Sequence, residues 1–212
     1  MRGRLIERLV ARWRNDDRYD ARVVVLDTET SGLDPQRDQL LAIGAVGVDD
    51  AGIRVEDSFE VVVRPDEAVS RESVAIHGIG GEMQRAGVPP RDALAAFTSY
   101  VGGAPIVAFH AAFDRAVIER ALSRAGVRAD PLRWLDAAEL AATLWPEEHK
   151  RGRRALDDWL AHFSIGTSSR HSAAGDAAAT AELFLSLRAL AGKQSRRSHA
   201  SLARFAQGYR WL

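Results

Sequence analysis

VVVLDTETSGLD, residues 23–34, carries four apolar residues into an acid, skips one position to a second acid, and turns away at Gly32. A short Val-rich run ended by a turn signal reads as a buried β-strand. Side chains alternate along a strand, so Asp27 and Glu29 project to the same side of the sheet. Two carboxylates held that close repel each other unless a cation lies between them. A hard divalent ion such as Mg²⁺ or Mn²⁺ takes carboxylate oxygen and keeps water ligands for chemistry. Taken alone, an acid-x-acid pair fits the edge of a turn as well as a metal site.

Working outward, Val- and Ile-rich runs at 22–28, 40–49 and 53–64 are separated by SGLDPQRDQ and DDAG, the pattern of an antiparallel three-strand meander. A loop is expected from there to about Pro90. A helix over 91–101, a strand at 105–109 (PIVAF) and a helix ended by Gly126 follow, then a short strand in RWLD, 133–136. Helices are expected over 137–144, 156–163 and 173–191, with breaks at Pro146 and Gly166. The order predicts an α/β fold: a mixed five-stranded sheet, three antiparallel strands and then parallel ones, flanked by helices, with extra helical segments at both ends.

A chain of 212 residues that is 46% hydrophobic can bury one proper core. It has no cysteine, which excludes disulfides, thiolate zinc sites and cysteine nucleophiles, so a metal must sit on oxygen or imidazole. No apolar run approaches the roughly 20 residues that span a bilayer, and the N-terminus lacks a secretory signal pattern. No membrane and a cytoplasmic location are therefore expected. The 29 basic and 29 acidic residues balance but are segregated. From Arg188 to the end there are six Lys or Arg and no acid, and HKRGRR at 149–154 is a second basic cluster. Such runs form solvated surface or meet a phosphate backbone. Leu5, Ile6, Leu9, Val10 and Trp13 share one helical face among arginines. The chain thus divides into a basic amphipathic helix at 1–20, packed on its own domain or on a second copy, a main domain at 21–192, and a basic tail at 193–212.

Two more acids join the first pair. Asp114 follows the strand PIVAF near the start of the next helix, where an acid also serves as a helix N-terminal charge. Asp176 lies near the start of the long C-terminal helix in HSAAGD, with His171 five positions before it. On a continuous helix that spacing separates the two side chains, so His171 belongs to the preceding loop, free to act as a mobile general base.

DTETSGLD, FHAAFDRAVIE and HSAAGDA, in that order, resemble the three motifs of the DEDDh 3′–5′ exonucleases, the family of the polymerase III epsilon proofreading subunit and ribonuclease T. Intervening pieces match too, including VRPDEAVSRESVAIHGI, WLDAAEL and ALDDWLAHFSI, so the similarity spans 22–190. The resemblance implies an RNase H-like fold. It also implies two Mg²⁺ or Mn²⁺ ions held by Asp27, Glu29, Asp114 and Asp176, with His171 as general base. Paired ions stabilise both the attacking and the leaving oxygen of an in-line displacement at phosphorus.

By the same similarity, His77 and Glu72 resemble positions near the terminal nucleotide, while Thr30 and Leu33 occupy the turn under its base and sugar. A histidine at the corner of a tight turn is the alternative for His77. Many members read His-Asn where this chain has Phe109 and His110, so Phe109 is expected to stack on a base. The expected activity is removal of nucleoside 5′-monophosphates from a free 3′ end, of DNA in preference to RNA. An RNA-trimming exoribonuclease, an RNase H-like endonuclease and a non-catalytic nucleic-acid-binding module are the alternatives. The terminal segments are candidate contacts for a polymerase or another protein partner, and the resemblance allows a homodimer, since ribonuclease T-like relatives pair.

Overall fold

Strand β1 (Val23–Thr30) sits in the middle of the sheet, and that position explains its composition. The computed structural model describes residues 22–67, 69–152, 154–167, 170–193 and 198–207. In it β1 pairs antiparallel with β2 (Leu40–Val48) and parallel with β4 (Ile106–Ala108). β3 (Ile53–Val62) adds antiparallel to β2, and β5 (Trp134–Asp136) adds parallel to β4, giving the order β3-β2-β1-β4-β5. This is the mixed five-stranded sheet expected from the sequence.

The helices are α1 (Arg71–His77), α2 (Gly81–Ala86), α3 (Pro90–Val101), α4 (Ala111–Ala125), α5 (Ala137–Leu144), α6 (Pro146–Lys150), α7 (Leu156–His162), α8 (Ala173–Gly192) and α9 (His199–Gln207). They cover both faces of the sheet. Val24 and Leu26 join one apolar cluster with Phe97 of α3 and Ile118 of α4. Val23 and Val25 join the other, with Trp159 of α7 and Phe184 and Leu187 of α8. A strand covered on both faces needs no polar positions, hence its unbroken apolar run. The same alternation gives the acids their direction. Asp27 and Glu29 continue the row of Val23 and Val25, whereas Thr28 continues the row of Val24 and Leu26.

One feature departs from the expected pattern, and the break at Pro146 and the C-terminal helical segment are present as expected. The stretch expected to be loop before Pro90 holds α1 and α2. Helix α1 is capped by Ser70, whose hydroxyl accepts from the Ser73 amide, and is stopped by Gly78 in the left-handed conformation (φ 72°). It escapes a periodicity search because seven largely polar residues show no apolar stripe. Pro146, expected as a break, opens the short helix α6 at its first turn, where a missing amide proton costs nothing. Within the basic tail, α9 packs on α5 and β5 with Leu202 and Ala206 buried in the core. The amphipathic segment expected at 1–20 lies outside the described residues, as do 194–197 and 208–212. Among the described residues, no helix is long and apolar enough to cross a membrane.

Candidate active site

The acids collect at the carboxyl ends of β1, β4 and β5, the side of a parallel sheet where the strands turn outward and ligand sites form. At the end of β1 the register with β2 shifts between Glu29 and Thr30. The extra residue is Leu41 on β2, opposite the step from Glu29 to Thr30, and an unpaired residue of this kind bends the strand that carries it and raises the local twist. Across the sheet, α8 begins at Ala173, with the Ser172 hydroxyl capping the Gly175 amide. Its N-terminal turn lies directly on β2 at Gly44, the residue paired with Asp27. A glycine inside a strand often marks such a close backbone approach. Asp176, in the first turn of α8, thereby meets the β1 pair: ligand oxygens of Asp27, Glu29 and Asp176 all lie within 4.8 Å of one another.

Asp114 reaches the same region from α4. It is buried and accepts a hydrogen bond from the Thr28 hydroxyl at 2.7 Å. Thr28 faces α4 because it alternates with Asp27, so one strand end presents its acids towards α8 and the donor that holds Asp114 towards α4. Asp114 stands outside the mutual 4.8 Å group and acts on it electrostatically, through Asp27. His171 is placed in the loop before α8, exposed and in the left-handed conformation (φ 61°). Its amide donates to Asp176 Oδ2 at 3.3 Å, which sets the imidazole-bearing residue beside the cluster.

The expected nucleotide contacts separate into two groups. Leu33 is 92% exposed, an apolar side chain presented to solvent on the turn after β1. That turn is built internally. Thr30 Oγ1 donates to the Gly32 carbonyl at 2.6 Å, and Asp38 accepts from the Asp34 amide at 2.7 Å and from Ser31 Oγ at 3.1 Å. Glu72 is exposed on α1. His77, in contrast, is buried with both ring nitrogens engaged. Its Nδ1 accepts from the Ile79 amide at 3.0 Å, so the proton sits on Nε2, 2.9 Å from Ser73 Oγ. Ser73 Oγ in turn donates to the Thr30 carbonyl at 3.4 Å. Burial pushes this imidazole down, towards the neutral form. His77 therefore ties α1 to the end of β1.

Phe109 corrects its expectation. It is only 9% exposed and packs in the cluster with Leu135, Trp159 and Phe184, because the parallel strand β4 is covered on both faces. The ring is a core element with little face to offer a base. His110, next to it, adopts the left-handed conformation (φ 58°), one that asparagine enters most readily among residues other than glycine. Its amide donates to Asp136 Oδ1 at 3.1 Å and its Nε2 lies 3.2 Å from the Arg154 carbonyl. Asp136 also caps α5 through the Ala138 and Glu139 amides.

Four residues of this region escaped the sequence reading: Thr28, Gly44, Asp136 and Arg170. The Arg170 guanidinium donates to Asp176 Oδ1, and its Nε meets Asp157 Oδ1 of α7 at 2.7 Å. A glycine in a Val- and Ile-rich strand was the one visible signal for Gly44. The others show no pattern in sequence.

Burial holds the Asp27 carboxyl well above the usual carboxylate range, and the charges of Asp114 and Glu29 push it further up. Burial likewise moves Glu29 up to about 6 and raises Asp114, where the Thr28 hydrogen bond opposes the shift. Arg170 draws Asp27 and Glu29 back down. Three carboxylates raised by burial, Asp27 also by the charges of Asp114 and Glu29, form a cluster that calls for positive charge, and an all-oxygen donor set suits Mg²⁺ or Mn²⁺. The residues present thus fit a divalent ion.

A pH dependence follows. Carboxyls whose pKa is higher folded than unfolded leave the folded chain holding more protons, so their contribution to stability is present below the ordinary carboxylate range and is lost as pH rises through the folded values, about 6 for Glu29. In chelator, thermal unfolding of the wild type is expected to show a larger loss between pH 5 and 8 than that of Asp27→Asn. Saturating Mg²⁺ at pH 8 is expected to restore wild-type stability. Equal pH slopes for the two proteins, with no response to Mg²⁺, would count against an ion site here.

Sheet order, flanking helices and acids at the strand ends define the class as an RNase H-like exonuclease fold. The RNase T family model, described as Exonuclease, matches residues 24–184, and the chain belongs to this family of 3′–5′ exonucleases, hydrolases of the phosphodiester bond. It is 32% identical over 166 residues to a PolC-type DNA polymerase III of Thermotoga maritima, covering 78% of this chain and 12% of that one. A PolC-type DNA polymerase III of Staphylococcus saprophyticus is 30% identical over 171 residues, covering 81% and 12%. The chain therefore spans about an eighth of the length of these curated relatives. Among solved structures, exonuclease X in complex with 5′-overhanging duplex DNA aligns with TM-score 0.66 and 25% identity over 87% of this chain and 98% of that one. E. coli exonuclease I in complex with a dA16 oligonucleotide aligns with TM-score 0.64 and 22% identity over 79% and 40%, which speaks for the fold.

Proposed function

We propose that the chain hydrolyses the terminal phosphodiester at the 3′ end of a DNA strand, single or mispaired, and releases nucleoside 5′-monophosphates. The observation that carries this is the convergence of Asp27, Glu29 and Asp176 within 4.8 Å, with His171 tethered to Asp176 by its amide. Asp27, Glu29, Asp114 and Asp176 are the residues that would hold two Mg²⁺ or Mn²⁺ ions. When bound, paired ions activate water and neutralise charge developing on the phosphoryl and departing 3′ oxygens.

The chain's own residues do the rest. His171 takes the proton from the attacking water, a general-base role for which its place on an exposed loop beside the acids leaves freedom to approach. Thr28 holds Asp114 in its ionised orientation by donating to it. The turn carrying Thr30 and Leu33 sits under the terminal nucleotide, with Leu33 offering apolar contact to the base. Glu72, on the exposed side of α1, approaches the terminal sugar. His77 fixes that turn from behind through Ser73 and the Thr30 carbonyl. The PolC-type relatives carry the matching segment within a much longer polymerase chain, which supports a polymerase or similar protein as the partner met by the terminal segments.

The test uses 5′-labelled single strands of DNA and of RNA, with Mg²⁺ and with Mn²⁺, and Asp27→Ala as blank. A ladder descending from full length, faster on DNA, is expected. Faster loss of RNA would move the substrate to RNA ends. Scattered internal cuts from the first time points would replace the exonuclease reading with an endonuclease one.

A further inference from the structure

The acidic pocket already contains a cation supplied by the chain. Arg170 places Nη1 on Asp176 Oδ1, while Nε meets Asp157 Oδ1 on α7 at 2.7 Å. Its side chain is 22% exposed, against 67% for Asp157 and 12% for Asp176, so the guanidinium runs inward from a surface anchor to the buried acid. Its charge is felt by Asp27 and Glu29 as well, both of which it draws towards ionisation. The neighbouring residue uses the other oxygen of the same carboxylate, since the His171 amide donates to Asp176 Oδ2. Both oxygens of Asp176 are thus engaged by two consecutive residues of one loop.

We propose that Arg170 is a built-in counter-cation of the acidic pocket, which a divalent ion must displace from Asp176, so that ion binding frees the loop bearing His171. This rests on the reading of Asp27, Glu29 and Asp176 as ion ligands. Before an ion arrives, one guanidinium offsets part of the repulsion among buried carboxylates that otherwise destabilises the fold. A divalent ion brings twice the charge and binds several oxygens at once, so it prevails at Asp176. The displaced guanidinium keeps its outer anchor on Asp157, next to His171, where its planar donor fork is free for a phosphate oxygen of the strand. The cost is weaker ion binding in the absence of nucleic acid, because each ion competes with a tethered cation. Loop and ion site are then coupled through one carboxylate, and the coupling acts equally in both directions.

The experiment is calorimetric titration of Mn²⁺ into the full chain without nucleic acid, for wild type, Arg170→Gln, Arg170→Lys and Asp27→Ala, with thermal unfolding of each in chelator. Arg170→Gln is expected to bind Mn²⁺ about tenfold more tightly than wild type, the scale of one charge-assisted hydrogen bond. It is also expected to unfold at a lower temperature in chelator. Arg170→Lys, which keeps the charge without the fork, falls between the two and preserves the test should Arg170→Gln fail to fold. Equal or weaker Mn²⁺ binding by the arginine variants, with Asp27→Ala losing it, would overturn the counter-cation while leaving the ion site standing. If wild type and Asp27→Ala are alike in taking up no Mn²⁺, the ion site itself falls and the exchange with it.

Discussion

His171→Ala lowers turnover by about 10²–10⁴-fold, the range of a positioned general base, while Mn²⁺ affinity stays close to wild type. The two readouts belong together. His171 bears on Asp176 through its backbone amide, which alanine retains, so the carboxylates keep their arrangement and the proton acceptor alone is removed. The left-handed conformation at 171 is mildly unfavourable for alanine as it is for histidine, and the Ser172 cap still starts α8. Rates are measured under single-turnover conditions on a short DNA strand, beside a Mn²⁺ titration of the same preparation. A variant that cleaves at near wild-type rate would remove the base assignment. One that loses Mn²⁺ as well would move His171 to a structural role in the cluster.

Gly44→Ala is the second large effect, and it arises far from any titrating group. A Cβ at this position would stand 2.2 Å from the carbonyl carbon of Ala173 and from the amide nitrogen of Ala174. Those are backbone atoms at the start of α8 and cannot rotate aside, so the helix must retreat or β2 must bend. Overpacking of this kind costs about 1–3 kcal/mol. The functional loss is greater, because Gly44 pairs with Asp27 and the same helix turn carries Asp176. A retreat of about 1 Å opens the carboxylate cluster, and misplacement on that scale can lower turnover by roughly 10²-fold. The expected result is a cooperatively folded, mildly destabilised protein with weakened Mn²⁺ binding and turnover about a hundredfold down. Gly44→Ala with unchanged ion affinity and rate would show that the approach of α8 to β2 does not set the site.

Much of the architecture is legible without coordinates because local pattern carries it. The meander, the strand PIVAF, the helix stopped by Gly126 and the long terminal helix all rest on periodicity and punctuation that act within a few residues. The region before Pro90 was not legible. Helices α1 and α2 are short and largely polar, and they gain stability from docking rather than from an apolar stripe. The tail shows the same limit: composition marks it as basic, yet Leu202 and Ala206 place α9 in the core.

For the site, the sequence by itself settles direction and chemistry. Alternation along β1 points Asp27 and Glu29 the same way, and their oxygen donors restrict any metal to hard ions. Only the tertiary structure decides proximity. That Asp176 closes on the β1 pair depends on a helix docking over a glycine, and that Asp114 stands behind Asp27 depends on a hydroxyl from the opposite row of the same strand. It likewise turns Phe109 into core, buries His77 and sends Arg170 in among the acids. The reason is physical: the direction of a side chain is set by its own backbone, whereas the meeting of distant charges is set by how closely whole elements pack.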